Sequence, residues 1–104
     1  MKQRRPHDRH GGAKREAAQS LAITALSYLA AEPERLGRFL AVTGIGPERI
    51  RDAAREPGFL AGVLDHFSGD EQLLIAFAEH QGIKPEEIER ARAALGGVWE
   101  RDTP

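Results

Sequence analysis

Two stretches of this chain repeat one another at an offset of 38 residues, and the repeated unit is written in helix punctuation. Residues 33–54 read PERLGRFLAVTGIGPERIRDAA, and residues 71–92 read EQLLIAFAEHQGIKPEEIERAR. Aligned without gaps, eight of the twenty-two positions coincide: Leu36/Leu74, Phe39/Phe77, Gly44/Gly82, Ile45/Ile83, Pro47/Pro85, Glu48/Glu86, Ile50/Ile88 and Ala53/Ala91. Each coincidence has a structural job. The glycine ends a helix in a left-handed cap. The isoleucine packs under the turn. The proline opens the next helix, where its missing N–H costs nothing. The glutamate sits in the first turn, where the helix dipole favours an anion. The unit is therefore helix, Gly-Ile-x-Pro turn, helix, used twice. A duplicated ancestor and convergence on a good turn both lead to this architecture.

The flanking sequence continues in the same style. A helix is expected over 14–31, stopping before Glu32-Pro33. At 100° per residue, Leu21, Ile23, Ala25, Leu26, Leu29 and their alanine neighbours fill an arc of about 200°, with Ser20, Thr24 and Ser27 as the polar strip. So wide a face suits the centre of a core or a dimer seam. Further helices are expected from Pro33, Pro47, Pro57 and Pro85, with inward stripes such as Leu60, Val63, Leu64 and Phe67. Ser68-Gly69-Asp70-Glu71 matches a capping box opening the helix that carries Leu73, Leu74 and Phe77. No stretch shows sustained period-two alternation. The expected fold is all-α: a compact bundle of five or six short helices around a central N-terminal helix, with two similar helix-turn-helix hairpins.

The domain plan is simple. Residues 14–97 are expected to form one helical domain, 1–13 a basic disordered arm and 98–104 a tail in which Trp99 is expected to pack back on the core or anchor a partner. The net charge of −1 hides an asymmetry: residues 1–15 carry six basic residues against Asp8, a net +5, and the rest carry nine basic and fifteen acidic, a net −6. A basic arm on an acidic body points toward nucleic acid or an acidic partner, or is a solvated tail. The absence of cysteine excludes a disulfide framework, a thiol nucleophile and a Cys-ligated zinc. The longest uncharged run, Ala17 to Ala31, is fifteen residues and interrupted by hydroxyls, against the ~20 apolar residues of a spanning helix. With no secretory signal visible, a cytoplasmic protein without membrane attachment is expected.

Taken together, several segments resemble a family of small bacterial proteins known as domain of unknown function number 3572. They are Pro33-Glu34-Arg35-Leu36, Gly37-Arg38-Phe39-Leu40, Gly44-Ile45 with Pro47-Glu48, Pro57-Gly58-Phe59-Leu60, Val63-Leu64-Asp65, Asp70-Glu71 and Ala91 to Gly97. The resemblance covers about eighty residues and leaves the arm outside it. It implies a bacterial cytosolic protein and no activity. Locally, Thr43-Gly44-Ile45-Gly46-Pro47 is similar to the turn of a helix-hairpin-helix DNA-binding motif, whose small residues let backbone N–H groups approach a phosphate. On that reading Gly44, Gly46, Arg38, Arg49 and Arg51 contact nucleic acid, joined by Arg4, Arg5 and Arg9 of the arm. The sequence departs from the motif in two places. The second turn has Lys84 for the second glycine, followed by Glu86, Glu87 and Glu89, and Ile50 stands where the motif favours a small residue.

Catalytic patterns are missing. His7 and His10 are two potential ligands in the arm, short of a metal site. His66 and His80 fall at the edges of apolar helix faces, where boundary packing is the simpler role. No phosphate loop, nucleotide fingerprint or carboxylate pair stands out. The expectation is a protein that is not an enzyme, takes no cofactor or metal, and binds another macromolecule. A protein partner leads, with homo-oligomerisation left open; sequence-independent nucleic-acid binding through the arm and the Gly44–Pro47 turn is the alternative.

Overall fold

The computed structural model describes residues 14–95, and all the regular structure there is helical. The arm with Arg4, Arg5 and Arg9, the two arm histidines and Trp99 lie outside the described residues. Helix α1 spans Lys14–Ala30, α2 Pro33–Thr43, a 3-10 turn Pro47–Arg49 leads into the short α3 Ile50–Ala53, α4 spans Pro57–Ser68, α5 Glu71–Gln81 and α6 Pro85–Leu95. Proline fixes the starts of four of these segments, as the sequence predicts. The two turn glycines fix the ends: Gly44 has φ 77° and Gly82 φ 72°, the positive values expected of left-handed caps.

The two caps close differently. After α5, the Gly82 N–H donates to the Glu79 carbonyl and the Ile83 N–H to the Ala78 carbonyl at 3.0 Å, the Schellman pattern. After α2, the Gly44 N–H donates to the Leu40 carbonyl at 2.8 Å, and the Ile45 N–H turns instead to the Thr43 hydroxyl at 3.3 Å. That hydroxyl donates to the Phe39 carbonyl at 3.0 Å. Gln81 occupies the equivalent place in the second unit and has no such hydroxyl.

The hairpins are also unequal. In the second, α6 buries Ile88, Ala91 and Leu95 against α1 and α4. In the first, the matching helix is a 3-10 turn plus four residues that bury nothing fully, because Pro57 opens the next helix before it can lengthen. The repeat predicts two similar hairpins; the chain builds one full hairpin and one truncated one.

Helix α1 is central, packing on α2, α4 and α6. Its buried residues are Ala18, Ala22, Ala25, Leu26 and Leu29, a single stripe about 100° wide. The apolar arc in the sequence is twice that. Its two edges stay in contact with water: Leu21 is half-buried, and Ile23 on the other side is 47% exposed. The alanines in the stripe allow close helix approach, and the bulk of the core comes from Phe39, Phe67 and Phe77, all fully buried. Phe67 lies 5.0 Å from Phe77, and Tyr28 caps that pair at 5.1 Å from Phe77. Phe39 meets Phe59 edge-on at 5.8 Å. Such pairs add about 0.5–1.5 kcal/mol to the burial itself.

One capping expectation is corrected. Ser68 does not open α5. It is the last residue of α4, and its Oγ is buried without a hydrogen-bond partner. Asp70 is the cap, accepting from the Leu73 N–H at 3.2 Å. The α4 helix runs one residue further than a Ser68 cap allows, and Gly69-Asp70 makes the break.

Candidate functional site

Three concave regions stand out on the surface of the described residues. The largest of these three, about 700 Å³, runs between the N-terminal half of α1 and α6. Lys14, Glu87 and Arg90 stand at its charged positions; Ala17, Ala18, Leu21, Ile83, Ala91, Ala93 and Ala94 give it an apolar floor. Both helices present mostly alanine to it, so among the described residues no long apolar side chain fills the gap. Leu21 is the unburied edge of the wide α1 arc, so the excess apolar surface that the sequence shows on this helix becomes the wall of a groove.

The second region is the Gly44–Pro47 turn, a cleft of about 380 Å³ lined by Gly44, Ile45, Gly46, Arg49, Asp52, Ala53, Glu56 and Phe59. Gly44 and Gly46 are brought together with Arg49, as the motif reading expects. Arg38 lines a different cleft, and Arg51, exposed on α3, lines neither. Two carboxylates, Asp52 and Glu56, face the turn, and a third folds over it. A Cβ placed on Gly46 would lie 2.6 Å from Glu48 Oε2. An anion therefore already occupies the space in front of Gly46. The Gly46 backbone is extended, at φ −74° and ψ 149°, so its conformation alone does not require glycine.

The third region, about 290 Å³, is polar. Arg35 and Arg38 from α2 face His66 from the end of α4 and Asp70, Gln72, Leu73 and Ala76 from the start of α5. The Arg35 guanidinium is stacked 4.6 Å above the Tyr28 ring. His66 meets Phe39 edge-on at 5.1 Å, the boundary packing its sequence position predicts. Burial pushes its pKa below the ordinary imidazole value; the Asp70 carboxylate opposes this and the Arg38 charge adds to it. His80 plays the matching edge role against Tyr28, at 5.2 Å. Sequence reasoning singles out Arg38 and His66 separately. Arg35 and Gln72 it misses, because the cleft joins three elements and no spacing along the chain signals it.

Among the described residues no three His, Asp or Glu side chains gather in a way that could hold a metal ion, and no helix is long and apolar enough to cross a membrane. The chain is thus a small helical bundle whose described surface includes an apolar groove, a mixed cleft at the Gly44–Pro47 turn and a polar cleft. It belongs to the family described as protein of unknown function (DUF3572), whose profile matches residues 15–98. No curated protein and no solved structure matches it.

Proposed function

We propose that this protein is a non-enzymatic interaction module that takes a partner polypeptide in the groove between α1 and α6. The observation that supports this best is the groove itself: an open apolar floor of alanine, leucine and isoleucine, with charges confined to Lys14, Glu87 and Arg90. Small side chains let a guest helix approach closely, and the eleven residues of α6 give a wall roughly 16 Å long, about three helical turns. That is the geometry in which an amphipathic helix lays its apolar stripe into a groove. Exposed Ile23, Val42 and Ile75 do not line the groove, and exposed apolar residues of this kind are ordinary for a surface. A bacterial cytosolic setting belongs to the same reading and draws support from the cysteine-free sequence.

The alternative, sequence-independent nucleic-acid binding, keeps one support in the basic arm. At the turn the balance is less favourable, since Glu48, Asp52 and Glu56 surround Gly46 and Arg49. The test is a photo-reactive amino acid placed at Ala93 in the groove or, as a control, at exposed Gln81, with irradiation in cells. The groove position is expected to cross-link one discrete polypeptide and the control position none. A product that is a second copy of the chain makes the groove a dimer seam. Cross-linking to nucleic acid, or equal products from both positions, contradicts the proposal.

A further inference from the structure

We propose that the cleft bounded by Arg35, Arg38, His66 and Gln72 is a binding site for a small phosphate-type oxyanion. It lies apart from the α1–α6 groove and shares no lining residue with it or with the Gly44–Pro47 turn.

Arg35 and Arg38 are three positions apart on α2 and so emerge on one face. Both line the same cleft, and among the described residues neither has an ion-pair partner: the salt bridges there belong to Arg92, with Asp65 and Glu89. Arg35 is steadied by its stack on Tyr28 rather than by a carboxylate. The one carboxylate in the cleft is Asp70, whose Oδ1 is engaged with the Leu73 N–H at 3.2 Å. Two arginines thus line a concavity that holds one carboxylate, Asp70, which caps a helix through Oδ1, so the cleft carries an excess of positive charge. A bound oxyanion relieves that excess, and a guanidinium fork matches two of its oxygens at once.

The internal repeat adds an independent argument. At the 38-residue offset, Arg35 corresponds to Leu73 and Arg38 to Ala76, and all four line this one cleft. The second copy builds its hairpin with apolar residues at these places. The arginines are therefore not demanded by the hairpin.

The remaining groups favour phosphate over carboxylate. His66, with its ionisation disfavoured by burial, offers one N–H donor and one bare nitrogen. Asp70 offers a further acceptor oxygen. A phosphate carrying one proton donates to such an acceptor while its other oxygens accept from the arginines; a carboxylate only accepts. The volume of about 290 Å³ is at the small end for ligand sites, enough for a phosphate and a modest attached group.

The test is titration of the full-length, isotope-labelled protein with sodium phosphate, followed by NMR at constant ionic strength held with chloride. Saturable shifts are expected at Arg38, Gln72 and Leu73, together with a rise in the His66 imidazole pKa. Acetate at the same concentrations is expected to leave those signals in place. Arg38→Gln, a surface substitution, is expected to weaken phosphate binding at least tenfold with the spectrum otherwise retained; Arg90→Gln, at the groove, is expected not to. Identical shifts in phosphate and chloride, saturation by acetate as good as by phosphate, or an Arg38→Gln protein that binds undiminished overturns the proposal. A DNA duplex that moves these signals when inorganic phosphate does not overturns it in favour of nucleic acid.

Discussion

The Asp70 carboxylate accepts the Leu73 N–H at 3.2 Å, and two residues upstream the Ser68 hydroxyl is buried with no partner. One side chain caps α5 and the other sits at the end of α4 with its hydrogen-bonding capacity unused. The two truncations should therefore part company. Asp70→Ala is expected to destabilise the fold by about 1 kcal/mol through the lost cap. Ser68→Ala removes an unsatisfied buried oxygen and is expected to be neutral or stabilising. Denaturant midpoints of the two variants check this; a Ser68→Ala loss as large as that of Asp70→Ala restores the serine cap.

The turn glycines make a second pair. Gly44 and Gly82 hold φ at 77° and 72°, and a Cβ at either meets no heavy atom within 4 Å. The penalty for a side chain there is conformational alone. Valine at either position is expected to cost about 1 kcal/mol or more, the range for a β-branched residue forced left-handed. Thr43→Val should add a smaller loss in the first hairpin only, since it leaves the Ile45 N–H without its acceptor. Equilibrium unfolding of the single variants tests both statements; Gly44→Val at wild-type stability contradicts them.

Much of this was readable in the chain. Prolines at 33, 47, 57 and 85 mark helix starts because their ring fixes φ, and glycines at 44 and 82 mark ends because their φ is positive. Phe39 and Phe77, matched in the repeat, are both fully buried. What failed depended on competition between neighbours. Ser68-x-x-Glu71 fits a capping box, but Asp70 lies closer to α5 and takes the role. Ile50 matches Ile88 in sequence yet is only half-buried, because α3 ends after four residues. The groove left a trace in the overwide apolar arc of α1. The Arg35–Arg38–His66–Gln72 cleft left none, since convergence across three helices has no period along a chain.

His66 gives a pH prediction. Burial lowers its pKa below the ordinary value of 6.5, with Asp70 opposing from the start of α5 and Arg38 reinforcing from α2. In the unfolded chain the imidazole takes up its proton near 6.5, before the folded protein does. The unfolded state then binds more protons, so stability is full above that pH and declines as pH falls from there toward the lower folded value. Folding free energy measured by denaturant at pH 7.5 and 5.5 is expected to be lower at 5.5, and His66→Gln should shrink the difference. A decline that is unchanged in His66→Gln places its origin elsewhere.

The proposed role of the α1–α6 groove is to receive a partner polypeptide. The most direct measurement is the affinity of the partner identified by cross-linking from Ala93, titrated as purified protein against wild type and against Ala17→Glu and Ala93→Glu. Both alanines are exposed and line the groove, so the substitutions should leave the unfolding free energy within about 0.5 kcal/mol of wild type. Each is expected to weaken binding tenfold or more by placing a charge on the apolar floor, while Gly46→Glu at the turn leaves affinity unchanged. Undiminished binding by both groove variants, or a loss confined to Gly46→Glu, contradicts the account.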